Sequence, residues 1–167
     1  FSHGDFAARH HGGSLGMRLL QVEEKMRPVE HCRLAAIDDT VRQIFARPLP
    51  SRRTGAVMIV GTNDQLVGIF TDSDLARLFE NRQDNALDQP IHEVMTIHPI
   101  SVLEGTRLED AVALLESRRL SELPVVDANG RPRGLIDVVD LVGADFSATA
   151  KETNGRSQEQ REHSSAA

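Results

Sequence analysis

Apolar positions in this chain gather into short runs that come in pairs. Val57 to Val60 and Leu66 to Phe70 flank the stretch GTNDQ, while Leu123 to Val126 and Gly134 to Ile136 flank DANGR. Short runs rich in Val, Ile and Leu, separated by Asn, Asp and Gly, predict two β-hairpins. After the first hairpin, Thr71-Asp72-Ser73-Asp74 reads as a helix start, with Leu75, Leu78 and Phe79 following at helical spacing. Before the second, Thr106 to Arg119 places Leu108, Ala111, Val112 and Leu115 on one face and predicts an amphipathic helix. The equivalent segment before the first hairpin is interrupted by Pro48 and Pro50. Proline lacks the amide hydrogen and clashes with the preceding turn, at about 3 kcal/mol. A short helix is expected there, followed by an irregular connection through ARPLPSRR.

The pairing is an internal repeat. An offset of 66 aligns Thr40 with Thr106, Ser51-Arg52-Arg53 with Ser117-Arg118-Arg119, Val60 with Val126, Gly68 with Gly134, and Asp74-Leu75 with Asp140-Leu141. Upstream, Val22 to Pro28 echoes Ile91 to Thr96 at an offset of 69, so the first copy carries a short insertion between Met26 and Thr40. Neither copy has the apolar surface to stand alone. A pseudo-twofold pair with a ligand cleft between its halves is the natural arrangement. The expected fold class is α/β, of α+β type, each copy being a small sheet packed with helices.

Composition narrows the function classes. No apolar run approaches the roughly 20 residues that cross a bilayer, which speaks against a membrane span. The net charge of −6, without a long basic run, argues against a nucleic-acid surface, and no Trp or Tyr is present to stack bases. The single Cys32 favours a reducing, cytoplasmic setting. A chain opening on Phe1, with no start methionine, signal or transit peptide, reads as a fragment of something longer. Beyond Val142 it turns polar, as expected of a disordered tail.

Candidate chemistry concentrates after each hairpin. GIFTDSDL, residues 68 to 75, ends on a hydroxyl and two carboxylates; GLIDVVDL, residues 134 to 141, has Asp137 where the first copy has Thr71. Thr71 and Asp74 fit a plain helix cap, and the free amides of a helix N-terminus also form an anion site. Asp137 breaks the equivalence. A carboxylate about 4 Å from a phosphate charge costs roughly 4 kcal/mol at an effective dielectric near 20, so phosphate should prefer the Thr71 side unless a divalent cation bridges it to Asp137. The pairs Arg52-Arg53 and Arg118-Arg119 match phosphate geometry, although cations near a helix C-terminus are also favourable on structural grounds alone. His3, His10 and His11 lack the spacing of a metal site, and none is expected.

Taken together, Met26-Arg27-Pro28, Met95-Thr96 with Pro99, Leu123 to Asp127, Gly68 to Asp74 and Gly134 to Asp140 resemble a tandem pair of CBS domains, a Bateman module, over roughly residues 24 to 143. The resemblance implies binding of an adenine nucleotide or related anion, with a hydroxyl such as that of Thr71 toward phosphate and Asp74 or Asp140 toward ribose. Asp137, Arg53 and Arg119 complete the expected ligand set. DFAARHHGGSLGMRLL, residues 5 to 20, further resembles the junction ahead of the CBS pair in bacterial arabinose 5-phosphate isomerases, with His11 in place of a proline. These enzymes interconvert ribulose 5-phosphate and arabinose 5-phosphate, on the route to the lipopolysaccharide sugar Kdo.

By this match, His10 corresponds to a catalytic histidine, active only in a full-length parent. The implied division is residues 1–23 as the end of an isomerase domain and linker, 24–85 and 86–145 as the two CBS modules, and 146–167 as tail. No cofactor is required, and AMP, ATP or CMP-Kdo are the implied regulatory ligands. A homodimer through the faces of Leu75, Leu78 and Phe79 is expected, with a tetramer open to the parent. A free-standing sensor, a purely oligomerising module, and a small enzyme using His10 with the Asp pairs are the alternatives.

Overall fold

The computed structural model describes residues 19–48 and 54–142. A unit ending at Asp137 contains both sheets. A second unit starts at Val138, and its described part is the helical stretch 138–142 that carries Asp140. His10, Arg52, Arg53 and the polar tail lie outside the described residues.

Both predicted hairpins form. Strand β3 (Ala56–Val60) pairs antiparallel with β4 (Leu66–Thr71), and β7 (Glu122–Val126) with β8 (Pro132–Asp137). The repeat extends to the hydrogen-bond register: Val57 faces Phe70 as Leu123 faces Ile136, and both ladders slip at the same place, between Ile59 and Val60 and between Val125 and Val126. Each hairpin gains a parallel neighbour, β2 (Arg33–Ala36) beside β3 and β6 (Val102–Leu103) beside β7.

The fourth strand of each sheet comes from the other copy. Strand β1 (Arg27–Pro28) pairs with β8, and β5 (Thr96–Ile97) pairs with β4. The sheets therefore run β1-β8-β7-β6 and β2-β3-β4-β5, each completed by an exchanged leading segment. The short turns just upstream are exchanged too. Val22 donates its amide to Thr106 O at 2.9 Å, and Ile91 donates to Asp39 O at 2.8 Å.

The proline interruption has its expected effect. Helix α1 (Val41–Ala46) has six residues against eleven in α3 (Leu108–Arg118), and Arg47 leaves it in extended backbone ahead of Pro48. Thr40 and Gln43 close a capping box at the start of α1, with Gln43 N donating to Thr40 Oγ1 at 3.1 Å. In α3 the buried residues are the predicted four, Leu108, Ala111, Val112 and Leu115. Helix α2 (Asp72–Glu80) buries Leu78 and half-buries Leu75, while Phe79 stays 53% exposed. Most of the apolar face expected to self-associate thus belongs to the core.

Strands β3 and β4 are buried on both faces, which explains their nearly unbroken apolar runs. Val57, Ile59 and Phe70 enter a core with Val41, Ile44 and Leu78 that is completed by Ala86, Leu87 and Ile91 from the second copy's leader. Ala56, Met58 and Ile69 join Cys32 and, from the other sheet, Leu135. Hairpin tips are also tied, with Leu66 N donating to Gly130 O at 2.9 Å and Arg131 Nε to Asn63 O at 3.1 Å.

Gly68 and Gly134 sit where the exchanged leaders cross the hairpins. A Cβ on Gly68 would collide with Met95 Sδ; one on Gly134 would fall 2.5 Å from Arg27 O and 2.6 Å from Met26 Sδ. A thioether bends away more easily than a peptide carbonyl. Gly134→Ala is expected to lower stability by about 2–3 kcal/mol and Gly68→Ala by about 1 kcal/mol, read as urea midpoints. Shortening Met95 to Ala in the Gly68→Ala background should recover part of the smaller loss and give a non-additive cycle.

Candidate functional site

The residues singled out after the first hairpin meet at the start of α2. Strand β4 delivers Thr71 in extended backbone, φ −102° and ψ 164°, as the residue before the first helical turn. Asp74 N donates to Thr71 Oγ1 at 3.2 Å. In return, Asp74 Oδ2 accepts from Thr71 N at 2.9 Å and from Thr71 Oγ1 at 3.0 Å. Asp72 N is taken by Gly55 O at 2.8 Å. The local chemistry is a complete capping box, so the cap role is directly visible.

Asp74 has a second role in the geometry. Its Oδ1 accepts from Arg77 Nη1 at 3.1 Å, and both residues line a cavity of about 620 Å³. One wall is α2 with Arg82 just beyond its end; the other is the exchanged leader, through Gln83, Asn85, Gln89 and Glu93; Phe70, Leu78, Ala86 and Val94 supply the apolar lining. The cavity's volume falls within the range of small-molecule sites. The lining carries both charge signs, Arg77 and Arg82 against Asp74 and Glu93.

Other predicted residues lie elsewhere. Asp137 ends β8, is 7% exposed, and pairs in register with Glu122 on β7. Arg119 caps the C-terminus of α3 in left-handed backbone, φ 54°, where a cation complements the helix dipole. Asp140 sits in the helical stretch that opens the second unit. Among the described residues, no group of three or more His, Cys, Asp or Glu side chains could hold a metal ion. No helix among them is long and apolar enough to cross a membrane.

Several residues had no signal in the sequence. Arg77, Arg82, Gln89 and Glu93 look like ordinary surface positions, and only the return of the leader alongside α2 places them in one cavity. Glu122 heads a strand that is otherwise apolar. Its carboxylate fills the space left by the missing side chain of Gly55, where a Cβ would collide with Glu122 Oε1. Burial first, then the negative charges of Asp137, Asp72 and Asp74, raise its pKa from 4.5 to about 7.

The family model described as "CBS domain" matches residues 30–81 and again 91–147. The chain belongs to the CBS domain family. Among curated relatives of this CBS pair, arabinose 5-phosphate isomerase GutQ of Escherichia coli K12 is 33% identical over 145 residues, covering 86% of the chain and 44% of the relative. KdsD of Francisella tularensis, also an arabinose 5-phosphate isomerase, is 34% identical over 143 residues, covering 85% and 43%. The chain therefore spans less than half the length of these relatives. Among solved structures, a CBSX2 complex with AMP superposes with a TM-score of 0.64 at 26% identity, over 77% of this chain and 98% of that one. CBSX2 from Arabidopsis thaliana gives 0.62 at 25%, over 78% and 96%.

Glu122 gives this CBS pair a definite pH dependence. The fold keeps its proton up to about pH 7, whereas the unfolded chain releases it near 4.5. Stability contributed by this group is therefore highest below 4.5 and falls as pH rises to about 7, above which the penalty is complete. Glu122→Gln is expected to stabilise the protein by about 1–2 kcal/mol above pH 7, allowing for solvent screening of a half-buried group, and to change little below pH 4.5. Denaturant midpoints across pH 4 to 8 test this.

Proposed function

We propose that this chain is the ligand-sensing CBS pair of an arabinose 5-phosphate isomerase, and that it binds a nucleotide or nucleotide sugar in the cavity beside Asp74. The carrying observation is that Asp74, at the start of α2, lines that 620 Å³ cavity together with Arg77, which its Oδ1 holds. In this reading Asp74 takes sugar hydroxyls. Asp137 takes the place of Thr71 in the second hairpin, and a carboxylate at that position disfavours an anion more than the neutral Thr71 does.

The parent protein would be cytoplasmic and would interconvert ribulose 5-phosphate and arabinose 5-phosphate with His10 among its catalytic groups, on the way to Kdo and lipopolysaccharide. Regulation follows from linkage: a ligand that binds one arrangement of the pair better than another biases whatever is attached to it. AMP, ATP and CMP-Kdo are the ligands to test, the last as a pathway end product. Pairing of two copies through the exposed Phe79 on α2 would give the dimer.

One observation favours a second reading. The capping box already occupies Asp74 Oδ2 with two hydrogen bonds, as in a module that only holds an oligomer together. Calorimetric titration with AMP, ATP and CMP-Kdo separates the two. Ligand sensing predicts saturable binding of at least one compound, weakened tenfold or more by Asp74→Asn in a variant that keeps its unfolding cooperativity. Absence of binding by all three leaves the structural reading.

A further inference from the structure

The hydrogen bonds of Asp74 restrict what it can offer a ligand. Oδ2 is filled by the amide and hydroxyl of Thr71, and Oδ1 holds Arg77. With its acceptor positions used this way, the carboxylate has room for about one more hydrogen bond. To take a pair of hydroxyls it must release Arg77.

Arg77 is free to go. Its side chain is 64% exposed, and an ion pair so open to water is weakly held. It lines the same cavity as Arg82, which stands just past the helix end in left-handed backbone, φ 54°. Two guanidinium groups on one wall match a phosphate better than Arg77 alone matches the monovalent carboxylate it now holds, because a bidentate, doubly charged acceptor gives stronger hydrogen bonds.

Building on the sensing reading above, we propose that Arg77 is the exchange residue of the cavity: it leaves Asp74 for the anionic group of the ligand, with Arg82 as second anion contact, while the freed carboxylate takes the ligand's hydroxyls. The cavity thereby selects compounds that carry both, a sugar phosphate or nucleotide, over the uncharged nucleoside. Arg77 and Arg82 take the phosphate role that the sequence pattern assigns to Arg53 and Arg119.

The test titrates AMP, adenosine and CMP-Kdo into the parent chain and into Arg77→Gln, Arg82→Gln and Asp74→Asn, while following the arginine Nε–H resonances by NMR. The expected result is that Arg77→Gln weakens the phosphorylated ligands about tenfold or more and leaves adenosine binding equal or tighter, since Asp74 is released. Arg82→Gln should weaken them several-fold, and the Arg77 resonance should move with saturation. If a phosphorylated ligand binds and Asp74→Asn weakens it, but Arg77→Gln reduces AMP and adenosine alike or neither, the exchange is wrong and the sensing reading stands. If none of the compounds binds the parent chain, both fall. Unchanged unfolding midpoints of the two arginine variants exclude misfolding as the cause.

Discussion

Everything in this fold depends on the exchange of leading segments. A strand of two residues cannot hold itself in place, yet β1 and β5 each close the sheet of the opposite copy. The contact is close because Gly68 and Gly134 leave room for Met95 and Met26 to lie against the hairpins. The same exchange brings Ala86, Leu87 and Ile91 into the first core. Each half borrows the apolar surface it lacks, so the two copies gain by folding together.

The exchange also makes the cavity. Helix α2 alone would present Asp74, Arg77 and Arg82 to open water. The segment leading to β5 returns beside it and supplies the second wall through Gln89, Glu93 and Val94. A cavity built this way depends on the relation between the copies, which is what the proposed ligand sensing would require.

Symmetry of the backbone does not extend to the charges. Ala56 and Thr71 of the first hairpin stand where Glu122 and Asp137 stand in the second, in the same register. Half-buried Glu122 is packed against Gly55 and surrounded by Asp137, Asp72 and Asp74, so its negative form is costly at neutral pH. The acidic pair spends stability in one copy. Its counterpart in the other is Ala56 beside Thr71, a neutral pair whose threonine caps a helix.

Much of the architecture follows from the sequence by itself, because local rules decide it. The period of the apolar runs sets the two hairpins, the four-residue face predicts α3, and Pro48 limits α1; each concerns neighbours a few positions apart. The offset of 66 even carries through to the slip between Ile59 and Val60 and its partner between Val125 and Val126. Thr71 and Asp74 were legible as a helix start for the same reason. Tertiary structure alone decided the rest. Two-residue strands have no periodicity from which a partner can be read, and Arg77, Arg82, Gln89 and Glu93 are ordinary polar positions until the leader packs beside α2. Glu122 becomes unusual only when Gly55 and three carboxylates close around it. Desolvation and charge proximity depend on distances between segments far apart in the chain, and those distances exist only once the two copies have exchanged their leading strands.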